Sequence, residues 1–450
     1  MGRITLQQAA EWCGGKIDPK YKDVTFLGAN NDTRKLQAGE LFVALKGVRD
    51  GHDFIPKALE NGAAAVLCTH ADGDYPAIIV EDTRIALGDI ARNERQRLGM
   101  KVVAVTGSVG KSTTKEMIAT VLDGSYKVAK TPVNHNNDIG MPMAVLSMPE
   151  DTQVAVLEMG MNHFREIAYL TNIGKPDIAV IINIGTMHIE HLGSQEGILK
   201  AKLEIREGMQ DDGVLILNGD DNLLWNQNLV ADISRVHFGM NNKNADILGN
   251  NVEEKDGLLQ FDVNGAEKAF SVTLPLNGLH YVSDALAAIS VALEMGVEPA
   301  DIQARLASFQ NMEGRQSIFE AKGFTIINDS YNAGPESMAA ALNVLGNKPG
   351  RRIAVLGDML ELGINAQAEH YKIGRIAAEK ADLLFAFGPT SERMLNGALT
   401  GGMAGKARAF TDREKLVQIL KLTARPGDVL LFKGSRGMRM ELILEAFLRD

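Results

Sequence analysis

The run VVAVTGSVGKSTTKEM sets two glycines, Gly107 and Gly110, just ahead of a lysine, Lys111, and a hydroxyl, Ser112. These residue types at this spacing suit an anion. Glycines let the backbone approach a phosphate closely. Lys111 offers charge to β- and γ-phosphates, and the Ser112 hydroxyl suits Mg2+. The spacing is not the common one, because G-x-x-x-x-G-K-[ST] needs a glycine five residues before Gly110. Val105 stands there instead. The shorter G-x-x-G-K-S trims the phosphate cradle and keeps its lysine and its hydroxyl.

Three more groups join the loop through their positions. Glu158 ends the apolar run VAVLE, and beside Ser112 it makes a hard oxygen site suited to Mg2+. DIAVIINIGTMHIEH ends its apolar stretch at Asn183 and reaches His188, which alone reads as an ordinary loop histidine. The segment SQEGILKAKLEIREGM reads as an amphipathic helix in which Lys200 and Glu204 form an i,i+4 pair on a solvated face. Lys202 lies on a different side, where it could face the site. The polar loop TPVNHNNDIG adds Asn136 and Asn137.

The elements that must carry these groups follow from the pattern. VVAVT reads as a buried strand and KSTTKEMIATVL as a helix whose first amides and dipole point into the loop. From Lys101 onward, β-branched apolar runs alternate with helical stretches, as in βαβ units around a parallel sheet. Ligands of such sheets bind beyond the carboxyl ends of the strands, which is where Glu158 and Asn183 fall. Short alternating strands are expected over 245–275 and helices over 280–309. A third block from Met312 alternates again (FTIIND, RRIAVLGDM, DLLFAFG, DVLLFKGS) and reads as a second doubly wound unit. The fold class is α/β in three domains. A small α/β unit over 1–98 precedes a central P-loop-type parallel sheet over 99–311 and a Rossmann-like unit over 312–450.

Composition narrows the function classes. A net charge of −10 argues against a dedicated nucleic-acid binder. No apolar run approaches the roughly 18 residues of a membrane helix, and MGRITLQQAAEW lacks the apolar core of a signal peptide. Two cysteines, Cys13 and Cys68, make no disulfide framework, so a reducing, cytoplasmic setting with both thiols buried is expected.

With these segments in place the chain resembles the Mur ligases, and within them the MurF type, along nearly its whole length. TGSVGKST and the following TKE are similar to that family's own short loop. DTRKLQAGELFVALKG, DGHDF, NHNNDIG, LEMGMNH, NIGTMHIEHLGS, AKLEI, IINDSYNAGPESM, VLGDMLELG and FKGSRGMRME match in order. The resemblance implies an ATP-dependent ligase that adds D-alanyl-D-alanine to a UDP-N-acetylmuramoyl-tripeptide through an acyl phosphate. It implies that Lys111 and the loop from Gly107 through Ser108, Val109, Gly110, Ser112 and Thr113 hold ATP. One Mg2+ falls to Ser112 and Glu158, and a second to His188 and Lys202, which that family carbamylates. His280 goes to the adenine side, Arg315 and Asp329 face the nucleotide from the third domain, and Lys111, His188, Lys202 and Arg315 carry the catalysis. Asp32, Thr33 and Arg34 go to the UDP-sugar, with Asn136 and Asn137 also on the substrate. No nucleic acid or membrane insertion is implied, and the chain is expected to be a monomer. Tyr281 and Asp284 stand where the family usually carries two asparagines, Gly334 where asparagine is common, and Asn328 where a second aspartate is common. A bare nucleotide switch would need the loop without Glu158, His188 and Lys202 together.

Overall fold

The computed structural model describes residues 3–227, 233–265 and 267–449. Its largest sheet has nine strands. From one edge they run Val128–Lys130, Val154–Glu158, Lys101–Thr106, Ile178–Ile181, Val214–Asn218, Ser234–Gly239 and Ile247–Lys255, all parallel. Leu258–Asn264 and Phe270–Leu274 extend it antiparallel. The strand Lys101–Thr106 shows why a continuous apolar run belongs in such a sheet. Its side chains alternate between two cores, with Val102 and Ala104 in one and Val103 and Val105 in the other.

A parallel four-stranded sheet (Ala29–Asn30, Leu41–Val43, Ala65–Cys68, Ala77–Ile79) precedes it. The helix Thr83–Leu98 follows, opened by the Asp82 side chain on the Arg84 and Ile85 amides. Its Leu87, Ile90 and Ala91 pack into one core with Leu41, Leu67 and Ile78 of the first sheet and Leu157, Ile181 and Leu215 of the large one. The first two units therefore share their apolar interior. Cys68 is buried and Cys13 only half-buried, so the thiols differ where like burial is expected from the sequence.

The third sheet runs Ser317–Ala321, Phe324–Asp329, Val429–Lys433, Arg352–Gly357, Leu383–Phe387, Ala407–Phe410, with only the first pair antiparallel. It builds two cores of its own, one on each face. It meets the large sheet through polar contacts that include Arg315 to Ser112, Glu336 to Thr186, His188 to Glu361 and Lys348 to Asn277.

One local expectation fails. The helix Gln195–Leu203 ends before Glu204, and the chain tightens into a 3-10 turn over Glu204–Gly208. Glu204 thereby leaves the face of Lys200. Its carboxylate accepts from the Arg165 amide at 2.8 Å and the Ala168 amide at 3.2 Å, at the start of the helix Glu166–Gly174. Free amides at a helix N-terminus attract a carboxylate more strongly than an exposed ammonium does. Lys200 stands instead over the Phe164 ring, 5.8 Å from its centroid.

Candidate functional site

The carboxyl ends of the central strands open into a cavity of about 980 Å3 lined by residues of all three units. The phosphate-loop segment forms its floor. Thr106 ends the strand, and the helix begins at Lys111 with no side chain capping its first amides. Those amides and the helix dipole face the cavity. Two glycines are required by geometry. At Gly107 a β-carbon would stand 3.1 Å from Ile182 Cβ, and at Gly110, where φ is +85°, it would stand 2.5 Å from Asp284 Oδ1.

Asn183 shapes the loop. Its Oδ1 accepts from the Ser108 and Val109 amides, both at 3.0 Å, and its Nδ2 donates to the Val109 carbonyl at 3.0 Å. The sequence marks Asn183 only as the end of an apolar run. Lys111 Nζ curls back onto the Gly107 carbonyl at 2.7 Å and the Ser108 carbonyl at 3.2 Å. Burial lowers its pKa, and the nearby Glu158 carboxylate partly opposes this.

Glu158 is 3% exposed at the end of its strand. Oε1 accepts from Asn136 Nδ2 at 2.8 Å, while Oε2 is buried without a partner among the described residues. A buried carboxylate oxygen left unpaired is costly, and a cation would satisfy it. Ser112 Oγ accepts from Arg315 Nη2 at 3.0 Å and keeps a second lone pair. Arg315 Cζ stands over the Tyr331 ring, 3.7 Å from its centroid. Among the described residues no three His, Cys, Asp or Glu side chains form a ready metal cluster. One carboxylate and one hydroxyl with phosphate and water as the other ligands is a set Mg2+ accepts.

His188 lies on the cavity wall with φ +63°, and its Nδ1 pairs with Glu361 Oε2 of the third unit at 2.6 Å. Lys202 is off the wall, buried at 2% exposure, with its pKa driven well below the usual lysine range by burial and by Lys111. Both effects disfavour the charged ammonium.

His280 and Asp329 both line the cavity. Burial drops His280 to about 4, so it is a neutral ring. Asp329 Oδ2 accepts from the buried Lys433 Nζ at 2.7 Å. Lys433, at the end of its strand, is not singled out by the sequence. Tyr281 and Asp284 also line the cavity, each tied to a neighbour. Tyr281 Oη accepts from Asn311 at 2.8 Å, and Asp284 Oδ1 accepts from the Thr114 hydroxyl at 3.1 Å behind the loop.

The remaining expected residues separate. Asn136 serves Glu158, whereas Asn137 Oδ1 takes the Gly140 amide at 2.8 Å at the start of the helix Gly140–Leu146. Thr113 is on the cavity wall; Asp32, Thr33 and Arg34 are not. There Arg34 Nε and Nη2 clasp the Asp32 carboxylate at 2.9 and 2.7 Å, holding its pKa down to about 2. Asn61 Nδ2 donates to the Thr33 carbonyl at 2.7 Å. Arg84, whose Nη1 donates to Asp138 Oδ2 at 2.7 Å, and Tyr169 line the cavity unforeseen.

Comparison with known proteins agrees along the chain. Residues 105–292 match the Mur ligase middle domain, 314–436 the Mur ligase glutamate ligase domain, and 24–95 the Mur ligase family catalytic domain. The UDP-N-acetylmuramoyl-tripeptide–D-alanyl-D-alanine ligase of Bacillus subtilis is 40% identical, over 99% of this chain and 98% of its own. A crystal structure of MurF from Acinetobacter baumannii superposes with a TM-score of 0.89 at 31% identity, covering 99% of each chain. MurF ligase from Thermotoga maritima in complex with ADP superposes with a TM-score of 0.84 at 31% identity, over 95% of this chain and 98% of that one.

Proposed function

We propose that this chain, which belongs to the Mur ligase family, completes the peptide of a UDP-N-acetylmuramoyl-tripeptide by adding D-alanyl-D-alanine with consumption of ATP. The reaction is a ligation that yields the pentapeptide precursor of peptidoglycan, ADP and phosphate. The observation that carries it is the cavity in which a phosphate loop, Glu158 and an arginine from another sheet converge.

A carboxylate is a poor acyl donor because its leaving group would be oxide. A terminal carboxylate oxygen of the tripeptide attacks the γ-phosphorus of ATP, the bond to ADP breaks, and an acyl phosphate forms. The amine of D-alanyl-D-alanine attacks the acyl carbon and loses a proton, and the tetrahedral intermediate expels phosphate. Lys111 and the first amides of its helix offset charge on the phosphates, and Arg315 brings a further cation over Ser112. The third unit, already against the loop, keeps water from the acyl phosphate.

Ser112 and Glu158, with its unpartnered buried Oε2, would hold one Mg2+, and the family resemblance gives a second to His188 and Lys202. The ions would screen carboxylate and phosphate from each other. Burial and Lys111 favour the uncharged form of the Lys202 amine, the form that can add CO2 and lose a proton to become an anionic oxygen ligand. The cavity is complete within one chain, which supports a monomer. Use of ATP and a UDP-linked substrate supports a cytoplasmic setting.

Phosphate release tests this reading. Release should require ATP, a UDP-N-acetylmuramoyl-tripeptide with lysine or diaminopimelate at its third position, and D-alanyl-D-alanine. Release with single amino acids in place of the dipeptide would refute the acceptor.

A further inference from the structure

We infer that Glu361, on the third unit, is a positioning residue that fixes the ring of His188 with Nε2 toward the cavity. The inference rests on the reading that His188 serves a divalent cation.

The loop from Gly185 to His188 is held at several points. Gly185 donates to Ser108 Oγ at 2.9 Å, tying it to the phosphate loop. Thr186 donates through its amide at 2.9 Å and its hydroxyl at 3.0 Å, both to Glu336 Oε1. His188 follows in the left-handed region, φ +63°, which costs about 1–3 kcal/mol for a residue with a side chain and persists only where surroundings enforce it. The backbone bonds above hold that conformation, and Glu361 meets the ring. It is itself left-handed, φ +63°, and its Oε2 lies 2.6 Å from His188 Nδ1. Beside it, Gly363 packs so closely on Glu190 that a β-carbon would stand 3.1 Å from Glu190 Cβ.

The chemistry of this contact is directional. An ionised carboxylate only accepts, so Nδ1 carries the hydrogen and a neutral imidazole keeps its lone pair on Nε2. Metal-bound histidines are commonly oriented in this way through the other ring nitrogen. Here the orienting carboxylate comes from a different sheet than the ring it orients. Docking of the third unit and readiness of His188 are thus one event. Glu336 holds the adjacent backbone from the same unit.

Mn2+ binding with a non-hydrolysable ATP analogue tests this in the full-length protein, for wild type, Glu361→Ala and Glu361→Gln. In the latter, the amide oxygen of the introduced side chain would still accept from Nδ1–H of His188. We expect two Mn2+ for wild type, a second site about 10–100-fold weaker in Glu361→Ala, and near wild-type binding in Glu361→Gln. The nucleotide-free melting midpoint of both variants should match wild type, because the Glu361 side chain is half exposed. Unchanged Mn2+ binding in Glu361→Ala, equal weakening in Glu361→Gln, or a single Mn2+ in wild type would each overturn the inference. None of these touches the ligase reading, which stands on acceptor-dependent phosphate release by wild type.

Discussion

Asp284→Asn probes a buried carboxyl behind the phosphate loop. Asp284 is 5% exposed, behind Gly110, and its Oδ1 accepts from the Thr114 hydroxyl. Burial lifts its carboxyl from the ordinary 3.8 to about 7, against smaller opposing effects of Thr114 and Arg315. A folded-state pKa above the unfolded one means that the native chain binds the extra proton between about pH 4 and pH 7. Stability therefore falls as pH rises through that window and stays at the lower level above it. At about 1.4 kcal/mol per pH unit, the whole window amounts to roughly 4 kcal/mol. Asparagine keeps the shape and the acceptor for Thr114 and cannot ionise. Urea melts at pH 5 and pH 8.5 should show the variant gaining on wild type by about 2–3 kcal/mol between the two. ATP affinity should follow, since a carboxylate forming behind Gly110 repels phosphates in the loop. Wild type weakens above pH 7 and the variant stays level. A stability difference that does not change with pH from 5 to 9 would refute the reasoning.

Lys111→Ala should abolish phosphate release while leaving the far-ultraviolet spectrum and melting cooperativity intact, because the bonds of Nζ go to carbonyls of its own loop. Full turnover in that variant would remove the loop from the chemistry. Asn183→Ala deletes three bonds to the loop backbone, at about 1 kcal/mol each. It should cost roughly 2–3 kcal/mol in a urea melt and raise the KM for ATP more than about tenfold.

Groups that end apolar runs are legible in the sequence. Glu158 and Lys111 sit where their strands and helix start or stop, and the rule that ligands gather at carboxyl ends of parallel strands locates both. Contacts made between sheets are not legible. Glu336 and Glu361 find Thr186 and His188 across 150 and 173 residues of chain, and no local pattern announces how two sheets dock. Lys433 is hidden likewise, since only the folded sheet sets it beside Asp329. Local pairing misleads in the other direction. The spacing of Lys200 and Glu204 suggests an ion pair, but the helix ends one residue too soon. Asp32 and Arg34, which the resemblance gives to the UDP-sugar, pair with each other at the surface.

The shared core of the first two units has an evolutionary reading. The helix Thr83–Leu98 belongs by sequence order to the small sheet and by packing also to the large one. Exchanging the first unit between related enzymes at residue 98 would set a foreign helix against native partners and leave holes on both sides. A chimera must carry that helix's neighbours with it. The third unit, with its own two cores and a polar seam, is the piece that recombination could graft as a module.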